Sequence, residues 1–182
     1  MKDHLDKKIQ FNDLLVTKHF RERFITSFNE PIDSILLCSP FFDRLPAPFN
    51  NVLEFCTLMQ KRGADNIQIV TRPPTGRDNT LEQSVAKLLN ERGVSIFVRS
   101  KPYFHVKFYH IEYSTGRFKT FVGSANFTTG GFERNYEMMA ELQGSGKETE
   151  CHREIARMRD VGALPYEKWV TQGLPNGTME SV

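Results

Sequence analysis

Phe104-His-Val-Lys107, then Gly123-Ser-Ala-Asn126, then Asn135-Tyr-Glu137, is the stretch from which the rest of the chain can be read. Side chains alternate along a strand, so a strand running from Phe104 to Tyr113 puts His105 and Lys107 on one face. The turn Ser114-Thr-Gly116 leads into a returning strand, Lys119 to Val122, which ends at Gly123. A residue with no side chain at that point lets backbone N–H groups approach a ligand. Ser124 and Asn126 add a hydroxyl and an amide. A third strand, Asn135 to Leu142, carries Glu137 one alternation from Asn135. With these strands side by side, an imidazole, an ammonium, an amide and a carboxylate meet at one end of a sheet.

The flanking sequence supplies the remainder of an α/β domain. Val52, Phe55, Cys56 and Met59 recur at i, i+3, i+4, i+7 and predict an amphipathic helix within 49–62, closed by Lys61-Arg62-Gly63. Ile67 to Val70 reads as a buried strand. The pattern then repeats: Thr80-Leu-Glu-Gln83 reads as a capping box, with Leu81, Val85, Leu88 and Leu89 along one helix face. Gly93 ends that helix before a strand from Val94 to Val98. Upstream, Phe20 to Phe28 reads as helix and Ser34 to Cys38 as a buried strand stopped by Ser39-Pro40. Cys151, Ile155 and Met158 mark a final amphipathic helix. Helix–strand alternation implies parallel pairs and the hairpin implies antiparallel ones, so the expected fold is a mixed β-sheet with helices on both faces. Residues 1–164 form the expected catalytic domain, and 165–182 a C-terminal cap or linker.

Composition narrows the classes. The chain has 182 residues, 39% apolar and 25% charged, as for one soluble globular domain. Its longest apolar runs fall far short of the roughly 20 residues that span a bilayer. No basic segment followed by an apolar stretch and a cleavage site is read at the N-terminus. Cys38, Cys56 and Cys151 lie far apart with no CxxC, which argues against a disulfide framework or thiolate metal site and for a reducing compartment, the cytoplasm. The net charge is +2, but residues 92–134 hold seven Lys/Arg against two acids. A local excess of that kind suits a polyanionic partner.

The residue set fits phosphodiester chemistry without a metal. His105 can attack phosphorus, dividing one difficult displacement into two through a phosphohistidine. Lys107 offers a compact positive charge to the non-bridging oxygens. Asn126, Ser124 and backbone donors stabilise the charge that grows in the transition state. Glu137 is expected to accept a hydrogen bond from the other ring nitrogen of His105 and so fix its tautomer. Arg72 and Arg77, on the proline-stiffened loop Thr71–Asp78, are candidate contacts to a phosphate backbone. Tyr103 and Phe127 flank the motifs and are candidates to stack a base, with core packing as the competing role. No acidic cluster suited to Mg²⁺, no HExxH and no GxxxxGK[ST] loop is present; no metal and no other cofactor is expected.

HxK followed by GSxN and NxE resembles the phospholipase D superfamily, in particular its nuclease branch with a single HxK motif per chain. The strand end Ser39-Pro-Phe-Phe42 is similar as well. The family usually carries aspartate five positions after the lysine; here that position is Glu112. It lies an odd number of residues from His105, so a structural acid facing away from the site is expected. The resemblance implies that two HxK motifs make one active site, one histidine attacking and the other protonating the leaving oxygen. His4, His19, His110 and His152 lack the motif, so a homodimer with its two-fold axis through the site is expected. The expected activity is a restriction-type or related endonuclease acting on DNA, with RNA kept beside it. A phospholipid-cleaving enzyme and a non-catalytic nucleic-acid-binding module are the alternatives. No membrane partner is expected, because no amphipathic stretch has the required basic and apolar faces. No helix-turn-helix or zinc-finger signature is present, so sequence recognition is assigned to a separate domain or subunit.

Overall fold

The computed structural model describes residues 9–172. Eight strands form one mixed sheet: β1 (Gln10–Val16), β2 (Ile32–Cys38), β3 (Asn66–Thr71), β4 (Ser95–Val98), β5 (Phe108–Tyr113), β6 (Arg117–Gly123), β7 (Met138–Ser145) and β8 (Leu164–Pro165). Their order across the sheet is β1-β7-β6-β5-β2-β3-β4-β8. The strands β2, β3 and β4 are parallel, with helices α2 (Val52–Lys61) and α3 (Gln83–Glu91) as their crossovers. From β5 outward through β6, β7 and β1 every pairing is antiparallel.

Helices cover both faces. On one, α1 (Thr17–Thr26), α2, α3 and α5 (Tyr166–Thr171) enclose the larger core. Phe20, Phe24, Phe28, Phe49, Phe55, Phe127 and Phe132 interlock there, Phe24 touching most of the others edge-on at centroid separations of 4.9–6.4 Å. Such contacts add to the ~1.5–3 kcal/mol that each buried large apolar side chain contributes. On the other face, α4 (Glu150–Asp160) lays Cys151 and Met158 on Leu36, Cys38, Val70, Phe108 and Phe118.

Val52, Phe55, Cys56 and Met59 are all buried on α2, and Gly63 and Gly93 take φ of +92° and +83° after their helices. Several expectations are corrected. The strand read from Phe104 begins at Phe108, so His105 and Lys107 sit on an extended lead-in; the strand read from Asn135 begins at Met138. Thr80 does not cap α3. Its hydroxyl donates back to the Arg77 carbonyl within the 77–79 turn, Glu82 becomes the residue before the helix, and Leu88 is exposed. The helix α4 is not the last: β8 pairs with β4 and α5 buries Tyr166 and Trp169 in the main core. Of the segment 165–182, Pro165 to Gln172 are described and contribute Tyr166 and Trp169 to the main core, and 173–182 lie outside the described residues. Among the described residues no helix is long and apolar enough to cross a membrane.

Candidate active site

The topology alone collects the motifs. Antiparallel pairing places the start of β5, the end of β6 and the start of β7 at one end of the sheet, together with the ends of β2 and β3. The HxK segment enters β5, GSxN leaves β6, NxE enters β7, Ser39–Phe42 leaves β2 and Arg72 leaves β3. Ligands of open α/β sheets bind at this carboxyl end of the parallel strands.

Lys107, only 5% exposed, folds its ammonium back over His105. Its Nζ is 2.7 Å from the ring Nδ1, 3.2 Å from Nε2, and donates to the His105 carbonyl at 3.1 Å. Desolvation, then the Lys107 and Arg72 cations, hold His105 below its ordinary value. Desolvation also lowers Lys107; the Glu137 carboxylate opposes this and Arg72 adds to it. A neutral imidazole beside a partly desolvated cation is the state a histidine nucleophile requires.

Glu137 is buried and stands apart from the expected role. Its carboxylate accepts from Ser124 Oγ and from Asn135 Nδ2 (3.1 Å), and it makes no hydrogen bond to His105. The acid thus orients Ser124 and Asn135, because the lead-in to β7 points it at the end of β6. Ser124 is knotted further: its N–H donates to the Met138 carbonyl (3.0 Å) and its Oγ accepts from the Met138 N–H (3.1 Å). Thr17, at the first turn of α1, donates to the Asn135 carbonyl (2.6 Å) and accepts from the Glu137 N–H (2.9 Å). Thr17 was missed in the sequence because it is 118 residues from its partner and matches no motif.

Gly123 has a different reason to be glycine than ligand approach. A Cβ there would lie 2.1 Å from the Met138 carbonyl oxygen, and its N–H is already given to the Lys107 carbonyl (3.2 Å). It permits β6 and β7 to close; it offers no donor to a substrate. Asn126, in contrast, has an uncommitted side chain whose Oδ1 is buried without a partner. The loop behind it is fixed by the buried Ser39 hydroxyl, which accepts from the Phe127 N–H (3.1 Å), and by the bridge between Phe42 and Phe127.

Arg72 is a pillar beneath the HxK segment. Its Nε donates to the Phe104 carbonyl (2.9 Å), and its guanidinium lies 3.5 Å from the Tyr103 ring centroid and 4.8 Å from that of Phe41. The same two rings flank His105 at 6.2 Å. Arg77 is exposed, and its side chain makes no hydrogen bond or ion pair to the motif residues among those described; the 77–79 turn carries it outward. Phe127 is fully buried among aromatic rings, so it packs and does not stack a base, whereas Tyr103 is 73% exposed. A polar cleft of about 490 Å³ adjoins the site, walled by Asn79, Asn126, Thr128 and Asn135. Arg44 and Arg134, both exposed and without an ion-pair partner among the described residues, line it too. Neither arginine belongs to a motif, so the sequence alone gave no signal for them.

Glu112 and His110 lie on the opposite face, under α4. Glu112 accepts from Ser34 Oγ (2.7 Å) and pairs with His152 Nε2 (2.7 Å). His110, whose Nε2 approaches to 3.6 Å, together with those two partners holds the Glu112 carboxyl at about 2 despite partial burial.

A mixed sheet with HxK, GSxN and NxE gathered at one end defines a phospholipase D-like protein. The family model described as "Cardiolipin synthase, PLD-like domain" matches residues 24–159, and the chain belongs to that family within the phospholipase D superfamily. The fold is similar to that of the phospholipase D family member Nuc from Salmonella typhimurium, at 20% identity and a TM-score of 0.61, over 87% of this chain and 97% of that one. NucT from Helicobacter pylori gives 16% identity and a TM-score of 0.56 over 87% of this chain and all of that one. Phosphatidylserine synthase from Haemophilus influenzae gives 12% and 0.56, over 88% of this chain and 41% of that one. No curated protein matches the chain by sequence.

Proposed function

We propose that the protein is a metal-independent phosphodiesterase that cleaves DNA through a phosphohistidine, in a site completed by a second copy of the chain. The observation that carries this reading is the Lys107 ammonium in contact with the His105 ring at a sheet end where Asn126 is uncommitted. In the free site the ammonium's protons are spent on the ring and the His105 carbonyl. The non-bridging oxygens of a phosphodiester compete for them, which draws Lys107 to the substrate and frees the ring. A bare nitrogen of His105 then attacks phosphorus: the N–P bond forms, the P–O bond to the leaving strand breaks, and that oxygen takes a proton from the partner subunit's His105. Water next attacks the phosphohistidine, giving its proton to the now neutral partner's His105 as the N–P bond breaks. Both rings return to their starting states.

DNA is favoured over lipid by the cleft. Among its lining residues only Phe41 has an apolar side chain, and the exposed Arg44 and Arg134 outnumber the one acid, Asp43, beside Asn126. Cations of this kind hold phosphates and carry no sequence information. Choice of a particular sequence, the restriction-type expectation, would fall to a separate domain or subunit. Phospholipid cleavage is the second reading, favoured by the exposed Tyr103, Tyr136 and Met138 near the motifs. The test incubates the protein with plasmid, single-stranded RNA and labelled phospholipid in EDTA. Nicking of plasmid that persists in EDTA and disappears in His105→Ala is expected. Turnover of lipid alone would reverse the substrate assignment, and duplex binding without cleavage would leave a binding module.

A further inference from the structure

On the sheet face opposite His105, two imidazoles and a carboxylate converge from β5 and α4. The ligand-capable atoms of His110, Glu112 and His152 all lie within 4.8 Å of one another. They border a cavity of about 210 Å³ beside Ser34, Gln68 and Ile155. His110 is only 2% exposed, and its Nε2 is buried without any hydrogen-bond partner, directed at Glu112 Oε1 across 3.6 Å.

The surroundings fix the orientation of that ring. Thr120 Oγ1 is 2.8 Å from His110 Nδ1 and directs its own proton to Cys151 Sγ at 3.7 Å. Nδ1 is thus engaged by the Thr120 hydroxyl, and Nε2 is the ring nitrogen left buried without a protein partner. A buried ring nitrogen without a partner is costly, and a cation seated between it and the Glu112 carboxylate satisfies both groups. His152 likewise has its Nδ1 on a hydroxyl, 2.7 Å from Thr149 Oγ1, but its Nε2 already donates to Glu112 at 2.7 Å, a proton that a metal would displace. A ring whose far nitrogen bonds a hydroxyl has its ligating nitrogen oriented in advance.

We propose that His110, Glu112 and His152 form a divalent transition-metal site, suited to Zn²⁺, that fastens α4 to the sheet. Two neutral imidazoles and one carboxylate are a zinc donor set, with water from the cavity as the fourth ligand. Ligands at about 2.0–2.1 Å from zinc stand roughly 3.4 Å apart in a tetrahedron. The 3.6 Å separation already meets this, and the 2.7 Å pair needs to open by less than 1 Å. Glu112 matches the ionised carboxylate, whose second oxygen the Ser34 hydroxyl holds in place. This proposal departs from the expectation of no metal read from the sequence; the site lies across the sheet from the cleavage site, so it and metal-free cleavage stand or fall separately.

The test strips the purified protein with chelator and titrates it with Co²⁺ and then Zn²⁺. One Co²⁺ per chain with the visible bands of a four-coordinate site is expected, displaced by Zn²⁺. Zinc at a hundredfold excess over Kd should raise Tm by about 5–10 °C. In His152→Ala, and separately in Glu112→Gln, affinity should fall at least ~100-fold and the zinc-induced rise in Tm should vanish. His152 is only partly buried on α4, so its variant should fold. Absence of those bands in the intact protein, or a rise in Tm that survives His152→Ala, overturns the site. EDTA should lower Tm while leaving the initial rate of plasmid nicking at 25 °C unchanged. EDTA that stops nicking equally in His152→Ala would defeat metal-free cleavage and leave this site standing.

Discussion

The buried Tyr109 phenol donates to the carbonyl oxygen of Ala125 at 2.7 Å, tying the first turn of β5 to the GSxN loop through the core. The histidine segment and Asn126 are therefore braced against each other from below. Tyr109→Phe keeps the ring and its contacts with Phe20 and Phe127 but leaves the Ala125 carbonyl buried and unpaired. A loss of about 1–2 kcal/mol is expected, read as a fall in Tm of roughly 3–6 °C. Because Asn126 follows Ala125, kcat should drop more than KM rises. An unchanged kcat would show that Asn126 is positioned by other contacts.

Gly131 is a second brace, from the loop that follows. A Cβ built there would stand 2.1 Å from the Asn126 carbonyl oxygen and 2.7 Å from its N. Backbone cannot yield as a flexible side chain does, so Gly131→Ala must push the Asn126 segment out of place. Overpacking of this kind costs ~1–3 kcal/mol, and cleavage should fall at least ~10-fold in a variant that still melts cooperatively. Full activity with wild-type Tm would mean the loop relaxes without moving Asn126.

The pH dependence follows from the lowered value of His105. Desolvation and the Lys107 and Arg72 cations disfavour its protonated form, so the nucleophile survives to a pH below its ordinary value near 6.5. The acid limb of kcat/KM should accordingly fall below about pH 6.5 as protonation removes the attacking lone pair. The alkaline limb reports loss of the proton that the second imidazole donates. In a shared site the two rings titrate as a coupled pair, giving a bell with its optimum below about pH 7. Lys107→Gln removes one cause of the depression, so the His105 ring resonance followed by NMR should titrate at higher pH than in the intact protein. A profile that rises steadily into the alkaline range would point instead to a hydroxide nucleophile.

Which parts of this were legible in the sequence has a physical logic. Strong periodicity read true: Val52, Phe55, Cys56 and Met59 all turned inward on α2, and Gly63 and Gly93 adopted the left-handed conformation. The edge strand β1 escaped because Phe11 and Leu14 are exposed and mask the alternation. Thr80 misled because its hydroxyl found a nearer acceptor than the helix N-terminus. The convergence of His105, Lys107, Ser124 and Glu137 was readable from motif order, but the partner of Glu137 was not. That depended on how far β6 and β7 close, which Gly123 sets through a backbone contact. Thr17, Arg44, Arg134 and His152 join their sites only by folding from distant segments, where local spacing says nothing.

A site shared by two subunits, as proposed, makes a quantitative prediction for mixed subunits. On that proposal each dimer in which both chains carry His105 would have one nucleophile and one acid, whereas a dimer with one His105→Ala chain would lack one of the two. Loss of general acid assistance alone costs about 10²–10⁴-fold, so such heterodimers should be silent on the scale of the intact enzyme. Co-expression of equal amounts of intact and His105→Ala chains gives heterodimers as about half of all dimers, since an isologous interface does not distinguish the two chains. Only the intact homodimers, about a quarter of the total, should then cleave. Independent sites would instead leave about half the activity, because every intact chain would work wherever it resides. Plasmid nicking per total chain, measured on a mixture whose dimer content is confirmed by tagged pull-down, separates the two values, and a result near one half would end the two-histidine model.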